Sequence, residues 1–501
     1  MDRITNSYLH ALQAIYCEIG DRGIRIDHPR IKRAKLKVRS LIEQQLLIPS
    51  SQWGMKVFIG KDSVDKKETN CVNLNATSGD RSLLKTMQDL GYHVPKITKK
   101  DAAGNYDQAY STGELALQKM LVENQFNHSG GDPAIRAILK VRELGKIVSQ
   151  YLNARFLLRS GASEEEEDYY FLSSYNVGGT VTSRRSSRKH TFGFGGNAQN
   201  LPSHSEISSE FLECLIPREG NIFLSVDQCQ AEDWPVSALA GNVSALKELS
   251  DGEDRHSKLA SLIFGTHVPA KDDPDWDKKK HSFMRYLGKK TRHSFNYDES
   301  AGMMSQALAQ EGKSIPVATC QHFLDITDRA DPSVRGVFHK YVKDELARTR
   351  MLRTPFGMER YFLSLRPNSD NSKAFKEAYA YIPQHTVGCL TGFALFEMET
   401  FYPPEERFIV QEGHDSIVQD VPNNIPTIMR QLDRIKKAFD RKIRFHNGIS
   451  VTIPLEAKVG DDFNNAVEFK DLSEAGLRKA LLELEEKREK RREKETYRSN
   501  S

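Results

Sequence analysis

At 501 residues the chain is long enough for several subdomains and a sizeable core. Its 72 Lys and Arg nearly balance 68 Asp and Glu, a net charge of +4, so any nucleic-acid surface has to be a local concentration of cations. The six cysteines contain no C-x-x-C pair, the histidines lack zinc-ligand spacing, no apolar run approaches membrane-spanning length and no signal-peptide pattern opens the chain, so the expectation is a soluble cytoplasmic protein in a reducing compartment.

Leu9, Leu12, Tyr16 and Ile19 recur at helical spacing and predict a first helix that stops near Gly20 and Gly23. A second helix is predicted over about 29–47, with Pro29 in its first turn. Residues 48–130 are mixed and polar, with Ser78-Gly79-Asp80 and the Lys96, Lys99, Lys100 cluster as loop signals, and another helix is predicted over about 133–158. The acidic run 164–168 reads as a solvated loop. Strands and helices then alternate irregularly, an α+β pattern. Gly193-Phe194-Gly195-Gly196 lacks the strand–loop–helix setting and the Lys-Ser/Thr of a phosphate loop, and reads as a flexible insertion. At the end of the chain, Leu477, Leu481 and Leu484 give two turns of apolar stripe before a run of Glu, Lys and Arg over 485–495. A single solvated helix is predicted there, with a partner-docking helix as the alternative.

Three segments carry chemistry. The apolar run Ile222-Phe223-Leu224-Ser225-Val226 predicts a buried strand that delivers Asp227, followed by Gln228-Cys229-Gln230-Ala231-Glu232. A strand fixes such a carboxylate in space, and the turn after it can offer the Gln228 carbonyl to the same cation. Gln411-Glu412-Gly413-His414-Asp415-Ser416-Ile417-Val418 reads as strand, tight His-Asp turn, strand. Two aspartates presented in this way can share two Mg²⁺ ions about 4 Å apart. Between them, Arg285, Lys289, His293 and Tyr297 recur every four residues and would lie along one drifting helical stripe. Two cations, an imidazole and a phenol in a row suit a triphosphate at one end and a base or sugar at the other. Each segment alone is commonplace, as a strand end or a solvated basic face. Together they point to metal-dependent phosphoryl transfer. Cations also crowd this helix (Lys278, Lys279, Lys280, Lys290, Arg292) and an earlier segment (Arg184, Arg185, Arg188, Lys189).

The three segments resemble the three polymerase motifs of family A DNA polymerases, the bacterial DNA polymerase I type. Asp227, Gln230 and Glu232 match D-Y-S-Q-I-E; Arg285, Lys289 and Tyr297 match R-x-x-x-K-x-x-x-F/Y-G-x-x-Y-G; His414 and Asp415 match V-H-D-E. Thr180-Val181-Thr182-Ser183-Arg184-Arg185-Ser186-Ser187 is similar to T-x-T-G-R-x-S-S, and Asn197-Ala198-Gln199-Asn200-Leu201-Pro202 to N-x-Q-N-I/L-P. Asp254-Arg255-His256 ahead of Phe264-Gly265, and Pro383-Gln384-His385-Thr386, follow in the family's order. The resemblance covers roughly residues 7–465.

It implies a right-hand polymerase fold with thumb (1–160), palm (161–245 and 341–465) and fingers (246–340), the palm an antiparallel sheet backed by helices; the charged helical tail (466–501) lies beyond the resemblance and is read from its residues alone. It implies a template-directed DNA polymerase using two Mg²⁺, with Mn²⁺ as substitute, held by Asp227, Asp415 and the Gln228 carbonyl. Arg285, Lys289 and His256 would hold the triphosphate, while Glu232, His293 and Tyr297 would meet sugar and base, Glu232 excluding a 2′-hydroxyl. Arg184, Asn197, Gln199, Asn200, Gln384 and His414 would touch primer–template DNA. The expected partners are primer–template DNA, deoxynucleoside triphosphates and a separate exonuclease or replication protein; a monomer away from membranes is expected. Because the thumb-like helix begins a few residues after Met1 and a proofreading exonuclease domain takes roughly 150 residues, this chain alone is expected to leave a mismatched primer terminus uncut.

Departures from the family pattern are His293 for the usual aromatic, Ser294 and Asp298 for glycines, Ser416 for the acidic residue, and the long spacing 188–196. They suggest a bacteriophage or mobile-element branch. A translesion or repair polymerase and a single-subunit RNA polymerase relative remain as alternatives. Glu232 argues against the latter, and the two aspartates argue against a noncatalytic DNA-binding protein.

Overall fold

The computed structural model describes residues 4–59, 70–76, 78–100, 106–123, 132–159, 168–180, 182, 184–202, 206–311, 313, 315–366 and 372–499. Val181, Ser183 and nearly all of the predicted acidic loop lie outside the described residues. The chain forms two compact units, one of Met1–Ile31, Ala154–Glu299 and Asp325–Ser501, the other of Lys32–Asn153 and Ser300–Leu324.

The helix predicted at 29–47 runs further, over His28–Trp53, continuing through Pro49, and from Lys32 onward it belongs to the second unit. The polar stretch after it is not all loop. It holds a parallel pair, Lys56–Phe58 with Cys71–Asn73, and an antiparallel hairpin, Lys96–Lys100 with Tyr106–Tyr110. The helix predicted at 133–158 is capped by Asp132, whose side chain accepts the Ala134 N–H at 2.8 Å, but it ends at Ile147. A π turn, Val148–Leu152, widens the backbone and Asn153 closes it, so the chain is extended by Leu157–Leu158.

The first unit begins with α1 (Asn6–Arg22), which passes through Gly20 and stops where Gly23 takes φ +62°. The antiparallel hairpin of β1 (Ser173–Asn176) and β2 (Ser186–Lys189) follows. The glycine-rich segment after β2 is anchored, contrary to the flexible insertion expected. The Gly195 N–H donates to the Arg155 carbonyl at 2.8 Å, and the Gly196 N–H to the Leu172 carbonyl at 3.1 Å. Gly195 is needed because a Cβ there would stand 1.9 Å from the Leu172 oxygen. Next come β3 (Asn221–Gln228), α2 (Asp233–Leu239), α3 (Arg255–Phe264), α4 (Lys278–Asn296) and α5 (Ser372–Thr400). Then follow β4 (Ile409–Glu412), β5 (Ser416–Pro422), α6 (Ile425–Phe439), β6 (Leu455–Gly460), β7 (Ala466–Phe469) and α7 (Glu474–Ser499).

The five strands β4-β5-β3-β6-β7 form one antiparallel sheet with β3 at its centre. Ile222, Leu224 and Val226 of β3 are fully buried, each contributing about 1.5–3 kcal/mol. Strand alternation sends Gln228 to the same face, where its Nε2 donates to Thr391 Oγ1 of α5 at 3.0 Å, and puts Asp227 on the opposite face. The register sets Asp227 between Ser416 of β5 and Glu456 of β6.

The tail is the single helix predicted, but one face of it is docked rather than solvated. Leu477, Ala480 and Leu484 of α7 are buried against β6, β7 and α6, and Arg488 closes on Asp461 at 2.9 Å. Spacing three and four residues apart let a short apolar stripe find a sheet edge, which charge content alone could not reveal. Among the described residues no helix is long and apolar enough to cross a membrane.

Candidate active site

The β3–β5 pairing brings the two aspartate turns together. The Gln228 N–H donates to the Asp415 carbonyl at 3.1 Å, and Asp227 lies opposite Ser416. The turn between β4 and β5 is tight: the Asp415 N–H donates to the Gly413 carbonyl at 2.7 Å, with His414 held at φ +64°. Thr391 of α5 buttresses it by donating to the His414 carbonyl at 3.0 Å. Burial, then the charge of Asp415, pushes the Asp227 carboxyl well above the usual carboxylate range, and burial raises Asp415 as well. Asp227 Oδ1 is buried without a hydrogen-bond partner. Two enclosed carboxylates with an orphaned oxygen form an anionic centre that a divalent cation would relieve. Among the described residues no three His, Cys, Asp or Glu side chains stand at metal-ligand spacing. Two carboxylates with a backbone carbonyl nevertheless fit magnesium, which keeps several waters and takes substrate phosphates as further ligands. The favourable charges that act on Asp227 are Lys458, then Lys289. Lys458, on β6 opposite Ser225, was not legible as part of the site; no motif marks it.

Helix α4 carries Arg285, Lys289 and His293 as predicted, and Tyr297 is its C-cap residue. Asp277 starts it, accepting the Lys279 N–H at 2.8 Å. Gly288 lets α4 press onto α3, since a Cβ there would stand 2.3 Å from the His256 carbonyl oxygen. The cations differ in state. Arg285 Nε donates to Asp254 Oδ2 at 2.5 Å, whereas Lys289 is exposed and forms no ion pair among the described residues. His256 is held neutral: burial drives its pKa down to about 4, and its Nδ1 has no partner. Asp254, seen in the sequence only as a motif letter, is the counter-charge that holds Arg285.

Glu232 is the meeting point of three partners. One carboxylate oxygen accepts from Arg184, the other from the Tyr297 hydroxyl, and His293 Nδ1 stands 3.5 Å away. Burial alone would raise its pKa, but Arg184, then His293 and Tyr297, bring it below the usual value. The rings of His293 and Tyr297 meet edge to face, centroids 5.0 Å apart. Arg184 also donates from Nε to the Gln384 carbonyl at 3.4 Å, so Gln384 belongs to the same cluster.

The N-x-Q-N segment behaves differently from the expected DNA-contact row. Asn197 Oδ1 caps a short 3-10 turn, accepting the Gln199 N–H at 3.1 Å, and Gln199 Nε2 donates to Glu412 Oε2 at 2.7 Å. Both side chains face inward because they hold β2 and β4 together; Asn200 is the exposed member. His414 lies beside Arg184 and Glu232, and burial lowers its pKa.

The site is a strand-borne carboxylate pair in an antiparallel α+β unit, with Lys289 of a cationic helix among the charges that act on it. The model of DNA polymerase family A matches residues 62–465, and the chain belongs to that family. It is 26% identical over 337 residues to a thermostable DNA polymerase I of Thermus filiformis, an alignment covering 66% of this chain and 36% of that protein. It is 22% identical over 412 residues to the DNA polymerase of Bacillus phage SP01, covering 76% of this chain and 42% of the phage protein. The chain thus spans well under half the length of both relatives. The polymerase domain of Pol1 from M. smegmatis, solved with DNA primer-template and dNTP, superposes with a TM-score of 0.65 at 18% identity, over 91% of this chain and 70% of that one. That likeness shows the fold, the polymerase right hand.

Proposed function

We propose that this chain is a template-directed DNA polymerase that extends a primer 3′-hydroxyl with deoxynucleoside triphosphates. The observation that carries the reading is the joining of Asp227 and Asp415 by the β3–β5 register, with Asp227 Oδ1 buried and unpartnered. It is supported by family membership and by the DNA and dNTP bound to the M. smegmatis neighbour. Asp227, Asp415 and the Gln228 carbonyl would hold two Mg²⁺, which when bound supply charge neutralisation and a lowered pKa at the attacking hydroxyl.

The chain's own groups do the rest. Lys289, with no carboxylate to leave, engages the triphosphate directly; Arg285 does so by exchanging Asp254 for phosphate oxygens. His256, neutral at physiological pH, donates or accepts a hydrogen bond there without adding charge. Glu232, fixed by Tyr297 and Arg184, stands against C2′ and excludes a 2′-hydroxyl, while His293 lies against the incoming sugar or base. Arg184 and Gln384 meet minor-groove acceptors, which every correct pair presents, so pair shape is checked without reading sequence. His414 lies at the primer terminus. In this reading the thumb is 1–160, the palm 161–245 and 341–465, and the fingers 246–340.

Primer extension on a primed DNA hairpin with Mg²⁺ tests the proposal. Extension that disappears with Asp227→Asn supports it, and no extension by the wild-type chain overturns it. Ribonucleotide use equal to deoxynucleotide use would favour the RNA polymerase reading, and efficient bypass of an abasic site the translesion one. A role in phage replication is supported by the likeness to the SP01 enzyme. The chain is also proposed to leave mispaired ends to a separate exonuclease. Shortening of a mispaired, end-labelled primer without nucleotides, surviving Asp227→Asn, would contradict that.

A further inference from the structure

Asp331 is a buried carboxylate of the first unit, just ahead of the π segment Val334–His339. Donors converge on both of its oxygens. Oδ2 accepts from Arg255 Nη2 at 3.3 Å and from Arg292 Nη1 at 3.1 Å. Oδ1 accepts from Asn242 Nδ2 at 2.8 Å and from the Ser333 hydroxyl at 2.7 Å. Arg255 of α3 reaches onward to Asp233 of α2, its Nη1 3.7 Å from Oδ2, and its Nε donates to Glu248 Oε2 at 3.2 Å. Asn296 of α4 completes the group, donating from Nδ2 to Asp233 Oδ1 at 3.2 Å. Asp233, Arg255, Arg292 and Asn296 are all buried.

Each of these four residues adjoins a residue of the candidate site in the chain. Asp233 follows Glu232, Arg255 stands between Asp254 and His256, Arg292 precedes His293, and Asn296 precedes Tyr297. The bond of Asn296 to Asp233 therefore lies one residue along both partners from the bond of Tyr297 to Glu232. Unlike the sheet carboxylates, this cluster is matched: burial would raise Asp233, but Arg255, then Arg292, hold it below the usual carboxylate range. The family motifs leave positions 255, 292 and 296 open, and Asp233 and Asp331 lie outside them.

Buried ion pairs are weak sources of stability, since well-packed apolar residues commonly serve as well, but their bonds fix geometry. We propose that Asp331 is a positioning residue for the nucleotide side of the site. By holding Arg255 and Arg292 on one carboxylate it locks α3 to α4, and through Asp233 it locks both to α2. Asp254, His256, His293, Tyr297 and Glu232 then keep one arrangement, in which the triphosphate cations and the Glu232 gate meet the same nucleotide. Asp331 touches no substrate; it acts through these neighbours. The inference rests on the polymerase reading and names a further residue on which nucleotide affinity and sugar selection depend.

The test compares wild type, Asp331→Asn, Arg292→Gln and the double variant for KM and kcat with dNTP, for the ratio of ribo- to deoxynucleotide incorporation, and for Tm. A variant that merely folds less well loses kcat in the same proportion for every nucleotide, and its KM and ratio stay at wild type. Asp331→Asn is instead expected to raise KM for dNTP about tenfold and the ribo- to deoxynucleotide ratio about threefold or more. Arg292→Gln should move both in the same direction by less, about threefold in KM, because Arg255 keeps its bond to Asp331. The double variant should be no worse than Asp331→Asn alone, since the donor has nothing left to lose once its acceptor is neutral. A KM or a ratio left at wild type in Asp331→Asn, whatever its Tm, would overturn the proposal, and so would KM effects that multiply in the double variant. If Asp331→Asn does not fold, Arg292→Gln decides alone: raised KM and ratio support the proposal, and wild-type values overturn it. A wild type unable to extend a primer would remove the polymerase reading and this inference with it, whereas an active wild type with indifferent variants would remove this inference alone.

Discussion

The two sides of the site hold their charges in opposite ways. On the sheet, Asp227 and Asp415 are half-buried carboxylates without adequate counter-charge, raised above the usual range by desolvation and, for Asp227, by the other aspartate. On the helical side most charge is already matched: Arg285 with Asp254, and Glu232 with Arg184, Tyr297 and His293. The sheet side is built to gain cations, and the helical side to exchange partners when an anionic substrate arrives. Of the two motif cations on the helix, Lys289 forms no ion pair among the described residues, which makes it the one ready for phosphate.

The strongest way to break this comparison is at the aspartates. Asp227→Asn or Asp415→Asn should reduce extension by about a thousandfold or more, because each removes charge that holds the catalytic cations. Primer–template binding, measured by anisotropy, should change by less than about threefold, since grip on DNA is spread over many phosphate contacts. Near wild-type turnover in either variant would end the metal assignment.

Next in size is the contrast between the two cations. Lys289→Ala should lower kcat/KM for dNTP about a hundredfold, the usual scale for a lost charge at a developing anion. Arg285→Ala should cost less, about tenfold, because part of what Arg285 offers substrate is offset by leaving Asp254. The reverse order in steady-state kinetics would show that pre-pairing does not weaken Arg285.

Glu232→Ala should raise the ratio of ribo- to deoxynucleotide incorporation at least about tenfold, by removing the bulk beside C2′. An unchanged ratio would take Glu232 out of the gate. Restoring the aromatic with His293→Phe removes the 3.5 Å contact to Glu232 and should change dideoxynucleotide discrimination; an identical ratio would show that the position does not meet the sugar.

The smallest effect is on stability. Because both aspartates titrate above their unfolded values in the folded chain, the native state binds more protons than the unfolded one through that interval. Without divalent cation, stability should therefore fall as pH rises through it and stay low above it. At pH 8 in a chelator, Asp227→Asn should be more stable than wild type by about 1–3 kcal/mol, and Mg²⁺ should narrow the gap. A wild-type melt indifferent to Mg²⁺ would contradict the sheet side of the comparison.

The sequence by itself determined the residue types and the local frames that carry them. A β run ending in Asp227, a His-Asp turn between two strands, and four side chains at helical spacing are local patterns, and local backbone preference was enough to read them. What only the tertiary structure decided is which charges face which. The Arg285–Asp254 bond, the bond of Gln199 to Glu412 and the burial of Arg185 against Gly388 and Gly392 join residues far apart in the chain. The docking of α7 has the same cause: its apolar stripe is short, and whether Leu477 and Leu484 meet solvent or β7 depends on a sheet edge that the helix does not encode. Spacing along the chain sets which face of an element a side chain occupies, but partner choice depends on packing between elements, where burial makes an unmatched charge expensive and a matched one stable.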